Sequence, residues 1–171
     1  MTWFITFHTY GTRFHDPEPL AAWERRQMPQ EPYLLCAGRR EVVLAAIREA
    51  CQDQGWGLLA VHVRTTHVHV VVETGPHSPG EARNLFKRRA SQRLNEAGWD
   101  KKERRRWARH GHTRPVRQEA GPAIRYVVEG QGEPLAVWWA EQVGWRGERA
   151  APGLGANDHS AEDLAKAAEP G

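Results

Sequence analysis

Two histidines separated by one residue are the side chains best suited to chemistry in this chain. His67 and His69 lie in a run of β-branched residues from Val61 to Glu73, which is typical of a β-strand. Because strand side chains alternate between faces, both imidazoles should project from one face while Val68 and Val70 project from the other. Two neighbouring imidazoles on a stiff strand make half of a metal site. The alternative is that the two histidines occur together by chance on a solvated sheet face. The pair alone does not distinguish between a metal site and this alternative.

A second feature is a concentration of positive charge in the segment from Arg83 to Arg117. It contains 13 basic side chains against three acidic ones and carries +10, so with a net charge of +3 the rest of the chain carries −7. Most charge runs are solvated helix faces, but clustering without interleaved acids favours binding of a polyanion such as nucleic acid. The residues we expect to contact nucleic acid are Lys87, Arg88, Arg93, Arg104, Arg105, Arg109 and Arg114.

Length and composition indicate one domain over residues 1–146 of the 171, followed by an acidic Gly/Ala/Pro-rich tail over 147–171 that we expect to be disordered. The chain has no long apolar run, which argues against a membrane span. Its two cysteines, Cys36 and Cys51, lack C-x-x-C spacing. This favours a reduced, cytoplasmic protein without a zinc–cysteine site.

Hydrophobic periodicity indicates the elements that must position these side chains. The predicted strands are Trp3–Tyr10, Leu58–Arg64, His67–Thr74 and Trp107–Arg117. The predicted helices are Arg39–Gln54, Glu81–Glu96 and Pro122–Gly130, with a possible short helix at Leu20–Arg26. Residues 133–143, which include Trp138 and Trp139, receive no assignment.

Local signals sharpen several boundaries. Gly55 should stop the helix before it, Ser78 should cap the next one with Pro79 at its first position, and Pro115 suggests an edge strand. The order β-α-β-β-α-β predicts an α+β, ferredoxin-like antiparallel sheet with helices on one face, followed by a C-terminal helix that bears a tyrosine. The histidine strand should lie centrally, with its polar face open on the side without helices.

The other histidines are expected to play lesser parts. His62 should lie on the opposite face or outside the pair. His8 on the first strand fits a packed or surface residue better than one that lines a site. His110 and His112 repeat the spacing within the basic segment, where contact with DNA or solvent is more common than metal binding.

Several motifs, taken in order, resemble the HUH single-tyrosine transposases, in particular the REP-associated and insertion-sequence members. The resemblance covers Thr2 to about Trp139. The motifs that carry it are Thr6-Phe7-His8-Thr9-Tyr10-Gly11-Thr12, Arg64-Thr65-Thr66-His67-Val68-His69, Phe86-Lys87 through Leu94-Asn95, Trp107-Ala108-Arg109-His110-Gly111-His112-Thr113-Arg114 and Ile124-Arg125-Tyr126-Val127-Val128-Glu129-Gly130-Gln131-Gly132.

The resemblance implies roles for particular residues. His67 and His69 match the pair that binds a divalent metal, Mg²⁺ or Mn²⁺ in the family, and Tyr126 matches the nucleophile. A half-buried core tyrosine is the alternative for Tyr126. The family's third ligand is a Gln or Asn four residues after the tyrosine, where this chain has Gly130. Glu129 is favoured by the helical turn and Gln131 by its chemistry, so the third ligand stays open between them.

The function implied by the resemblance is a metal-dependent, single-strand DNA endonuclease and strand transferase. Its partner would be single-stranded or hairpin DNA, cleaved through a 5′-phosphotyrosine intermediate, with no membrane and with homodimer formation in some members. Two alternatives stay open. One is a catalytically degraded module of the same fold that binds structured DNA or RNA, and the other is a nuclease of the replication-initiator kind.

Overall fold

A computed structural model of the protein describes residues 1–13 and 18–141. The tail predicted for 147–171 and the end of the domain predicted at 146 lie outside the described residues. The described part contains the elements β1 (Thr2–Thr9), α1 (Glu18–Arg26), α2 (Ala37–Gln54), β2 (Gly57–Val63), β3 (His67–Glu73), α3 (Pro79–Glu96), β4 (Trp107–Pro115), α4 (Gly121–Val128) and β5 (Ala136–Trp139). No helix in this part is long and apolar enough to cross a membrane.

The strands form one antiparallel sheet in the order β4-β1-β3-β2-β5. The first four strands have the order of the predicted α+β, ferredoxin-like fold, which is confirmed, and the histidine strand β3 is central. The sequence missed β5, which extends the sheet beside β2. Its four residues are too few to give a clear alternating pattern, and only pairing with β2 stabilises them as a strand.

One face of the sheet is covered by α2 and α3. Side chains of alternating strand residues pack against the apolar stripes of both helices, where Val43, Ile47, Phe86 and Leu94 are fully buried. Helix α3 begins as predicted: the Ser78 hydroxyl accepts from the Glu81 amide and the Glu81 carboxylate accepts from the Ser78 amide, a complete capping box. This face holds the larger hydrophobic core, and it therefore fixes the sheet that carries the histidines.

The opposite face is partly covered by α4. Phe4, Ala60 and Val71 project from it and pack against Ile124 and Val127 of this helix. The expectation of an open polar face is therefore wrong over this area, although helices α2 and α3 do share one face as predicted. The sequence could not indicate this packing because the strand residues involved lie in continuous apolar runs, which do not distinguish the two faces.

Candidate metal centre and tyrosine site

His67 and His69 lie side by side on the face of β3 that α4 partly covers. Their ring centroids are 4.8 Å apart. The Thr6 hydroxyl is hydrogen-bonded to Nδ1 of His69 at 2.9 Å, and the Thr66 hydroxyl is hydrogen-bonded to Nδ1 of His67 at 3.0 Å. Such hydrogen bonds fix the orientation of ligating imidazoles. Both Nδ1 atoms are thus engaged, which leaves Nε2 of each ring to bind a metal ion.

The surroundings keep both imidazoles neutral. Burial, together with the charge of the neighbouring His67, lowers the pKa of His69 to about 4. Burial and the nearby Arg64 guanidinium lower the pKa of His67, while a hydrogen bond with the Gln131 side chain opposes the shift in both rings. A neutral imidazole is the form that binds metal. The donor set is therefore ready for a cation near neutral pH without first losing protons.

The end of α4 brings Gln131 to the histidines. The helix ends at Val128, two residues earlier than predicted, and the chain then turns through Gly130. The Gln131 side chain lies close enough to both imidazoles to oppose the lowering of their pKa values, and its Nε2 donates to the Tyr126 carbonyl oxygen at 3.3 Å. Over the described residues, no three His, Cys, Asp or Glu side chains converge as a metal site. The Gln131 amide, which lies near both imidazoles, carries an oxygen of the kind that binds hard divalent cations.

Glu129, the other candidate, lines a groove of about 1170 Å³ between the start of β1 and α4, together with Glu73, Arg125 and Tyr126. Glu129 follows Tyr126 by about one helical turn, because its backbone is helical and the Gly130 amide donates to the Tyr126 carbonyl. The chain leaves the helix after this turn, and Gln131 is the residue that approaches the imidazoles.

Tyr126 projects from α4 beside this centre. Its ring lies 6.0 Å from the His69 ring and 5.8 Å from Phe4, centroid to centroid, and 49% of the residue is exposed. It is therefore not a core tyrosine, and the structure brings it together with both histidines and Gln131. Gly130 lies against it, since a Cβ at Gly130 would come within 2.7 Å of the Tyr126 carbonyl oxygen.

Two further histidines lie on the same face. His8 is paired with His67 across β1 and β3, and their ring centroids are 5.5 Å apart. His62 is paired with His69 across β2 and β3 and is fully buried. The expectation for His62 was wrong, because paired residues of an antiparallel sheet share a face. His8 is partly buried beside His67, which is consistent with the expectation of a packed histidine. Knowledge of the register, which the sequence does not fix, would have found them.

Much of the predicted basic surface is used inside the protein. The Lys87 ammonium is buried, donates to the carbonyls of Ala108, Arg109 and His110, and has its pKa lowered to about 8 by burial and by Arg83. The expectation that Lys87 faces outward is wrong. Arg104 donates to the Gln30 side chain and to two carbonyls of the loop before α2. Arg93 forms ion pairs with two glutamates.

The remaining cations have a different distribution. Within the described basic segment 83–117, five exposed cations have no ion pair: Arg88, Lys101, Lys102, Arg109 and Arg117. Two more are exposed and stack on aromatic rings, Arg105 on Tyr10 and Arg114 on Phe4. Six of these seven lie in β4 or the loops that flank it, and Arg88 alone lies on α3.

Comparison with known proteins identifies the family. The model of IS200-like transposases matches residues 33–120, just over half of the chain. The chain therefore belongs to the IS200-like transposase family, which confirms the resemblance seen in its motifs. No curated protein sequence matches it at a significant level.

Two solved structures are similar in fold. One is a REP-associated tyrosine transposase bound to a REP hairpin, at 14% identity and a TM-score of 0.47, over 74% of this chain and 64% of that protein. The other is a candidate transposase from Deinococcus radiodurans R1, at 16% identity and a TM-score of 0.44, over 77% of this chain and 90% of that protein. The chain thus spans about 64% of the length of the first.

Proposed function

We propose that this protein is a metal-dependent DNA strand transferase that cleaves single-stranded or hairpin DNA through Tyr126. The observation that carries the proposal is the convergence of residues remote in sequence. The half-exposed Tyr126 ring lies 6.0 Å from the His69 ring, His67 and His69 lie side by side, and Gln131, near both imidazoles, donates to the Tyr126 carbonyl oxygen. Membership of a transposase family supports DNA as the substrate.

Tyr126 is the nucleophile in this proposal. Its oxygen attacks the scissile phosphorus, a phosphotyrosine bond forms, and the bond from phosphorus to the 3′ oxygen breaks. The phenol proton passes to solvent, which reaches the half-exposed side chain, and the freed 3′ oxygen takes up a proton. The covalent intermediate splits one difficult displacement into two easier ones. It also conserves the phosphoester bond energy, so the reverse attack by a 3′ hydroxyl can rejoin a strand.

His67, His69 and Gln131 would hold the divalent cation, Mg²⁺ or Mn²⁺. Such an ion would polarise the phosphate and neutralise charge that develops at phosphorus. The chain's own contribution is orientation: Thr6 and Thr66 hold the rings so that both Nε2 atoms face the site. By ligand softness, two imidazoles suit Mn²⁺ better than Mg²⁺.

The DNA backbone would approach along β4 rather than over α3. Arg114 faces the histidine side, because it is paired with Phe4 in the sheet and stacks on that ring at 5.2 Å. Phe4 in turn contacts both His69 and Tyr126. Arg114 is therefore one aromatic ring away from the proposed nucleophile, whereas α3 lies on the other side of the sheet. Arg109 and the loop cations at 101, 102 and 105, which are exposed, would extend the positive surface along β4.

A covalent adduct assay tests the nucleophile. The full chain, Mn²⁺ and labelled hairpin-bearing single strands should give a protein–DNA adduct that survives denaturing gel electrophoresis. Tyr126→Phe should abolish it, because the ring stays but the attacking oxygen is lost. Tyr10→Phe is the matched control and should form as much adduct as the wild type. Equal adduct from Tyr126→Phe would refute the assignment, and no wild-type adduct with any divalent metal would favour a binding module without cleavage.

A further inference from the structure

His62 is buried beside the proposed metal centre, yet both of its ring nitrogens are already used. Its Nδ1 lies 2.9 Å from the Val127 carbonyl oxygen, and its Nε2 lies 3.2 Å from the Leu135 amide nitrogen. A carbonyl can only accept and an amide N–H can only donate, so Nδ1 carries the proton and the Nε2 lone pair is occupied. His62 thus has no lone pair to offer a metal, although it lies on the same face as His69.

The two partners of His62 stand at the ends of one short segment. Val127 is in the last turn of α4, where carbonyls lack partners within the helix, and Leu135 directly precedes β5. Gln131 stands midway between them. One imidazole on β2 therefore holds both ends of this loop. The loop starts next to Tyr126 and carries Gln131, the proposed third ligand. Arg64, directly after the same strand, adds a second tether, since it donates to the Glu133 carbonyl at 2.6 Å.

We propose that His62 is a positioning residue: by holding both ends of the 127–135 segment against β2, it presets Gln131 over His67 and His69. This inference rests on the proposed metal centre. Contacts that orient ligands typically contribute ten- to a hundredfold to metal affinity. His62 acts on the loop and not on a ligand directly, so we expect about a tenfold contribution, transmitted through Gln131.

A double-mutant cycle on Mn²⁺ affinity tests the inference without relying on catalysis. Free Mn²⁺ is measured by electron paramagnetic resonance with the DNA-free full chain, well below its melting temperature. His62→Asn and His62→Gln each retain a polar group and should each weaken Mn²⁺ binding about tenfold. In a Gln131→Ala background the same substitutions should change the affinity less than about twofold, because a coupled pair is not additive.

Matched controls separate the ligand from its support. His77→Asn removes an exposed imidazole and Glu129→Ala removes the alternative ligand, and neither should change Mn²⁺ affinity. Additive losses from His62 and Gln131 would overturn the positioning role while leaving the metal centre intact. An unchanged affinity in Gln131→Ala would overturn both Gln131 as ligand and the role of His62, whereas the Tyr126 adduct assay would stand independently.

The wild-type ring gives a second readout if the His62 variants do not fold. Long-range ¹H–¹⁵N spectra of labelled protein report which nitrogen carries the proton. The expected result is a neutral His62 protonated at Nδ1, with no change when diamagnetic Mg²⁺ is added. A ring protonated at Nε2, or one whose nitrogen shifts with Mg²⁺ as a ligand's would, contradicts the inference.

Discussion

The two faces of the sheet use the same residue types in opposite ways. On the face covered by α2 and α3, cations are paired within the protein: Arg89 with Asp53, Arg93 with Glu49, and Lys87 with three carbonyls. On the other face, polar side chains converge on the imidazoles of His67 and His69 and leave both Nε2 atoms available. The first face stabilises the fold, and the second provides the candidate site.

Lys87 and Arg114 illustrate what this difference teaches. Both belong to the same basic segment, and nothing in composition separates them. Lys87 is 9% exposed and its ammonium ties α3 to β4, whereas Arg114 is exposed and stacks on Phe4 beside the site. The number of basic residues in a sequence therefore gives only the maximum number of cations that a binding surface can contain. Packing decides which cations remain available to a ligand.

The largest effect should come from disturbing the support of an imidazole on the histidine face. Thr6→Val keeps the shape but removes the hydroxyl bonded to Nδ1 of His69, so the ring loses its fixed orientation. We expect Mn²⁺ affinity, measured by electron paramagnetic resonance, to fall about tenfold or more. Thr113→Val is the matched control, because Thr113 is paired with Ile5 and faces the helices. An equal loss of Mn²⁺ affinity in both variants would mean that hydroxyl groups on the two faces of the sheet affect the metal site alike.

The next effect concerns stability on the helix face. Lys87→Met keeps the aliphatic stem but removes the donor shared by three carbonyls of β4. The free energy of unfolding in urea should fall by roughly 1–3 kcal/mol, the cost of leaving buried polar groups unpaired. Affinity for DNA should not change. Arg88→Met, an exposed neighbour on α3, should alter stability by less than about 0.5 kcal/mol. Weaker DNA binding by Lys87→Met at unchanged stability would mean that Lys87 belongs to the DNA-binding surface after all.

The fold was predictable because its signals are local. The β-branched runs of β2 and β3, the stop at Gly55 and the cap at Ser78 each act through neighbouring residues, and all were confirmed. Pro115 is another local signal: it predicted that β4 lies at an edge of the sheet, and this was confirmed.

The site was less predictable because it depends on register and on one helix end. His8 and His62 join the histidine face only through the pairing of β1 and β2 with β3. Which of Glu129 and Gln131 approaches the imidazoles depends on how the chain leaves α4 after Val128, at a boundary that shifts by one or two residues without any clear sequence signal. Strand pairing and helix termination are decided by tertiary contacts, such as that of His62 with the Val127 carbonyl.

The smallest effect, and the sharpest comparison of the two surfaces, concerns salt dependence of DNA binding. Arg109→Ala with Arg114→Ala should remove two exposed cations from the β4 side. The slope of log affinity against log salt should then become shallower by about 1.4 for single strands, since each phosphate contact contributes about 0.7. Arg89→Ala with Arg93→Ala removes the same charge from α3, but there the guanidinium groups pair with α2 carboxylates.

Fluorescence anisotropy with a labelled single strand over a salt series measures both slopes. The α3 pair should leave the slope unchanged, because its guanidinium groups are engaged with three carboxylates, those of Asp53, Glu49 and Glu96, and their loss removes no phosphate contact. If the α3 pair lowers the slope as much as the β4 pair, DNA follows the helix face, and the route along β4 toward Tyr126 is wrong. A change confined to the β4 pair would mean that the cations left unpaired by folding are the ones that bind DNA.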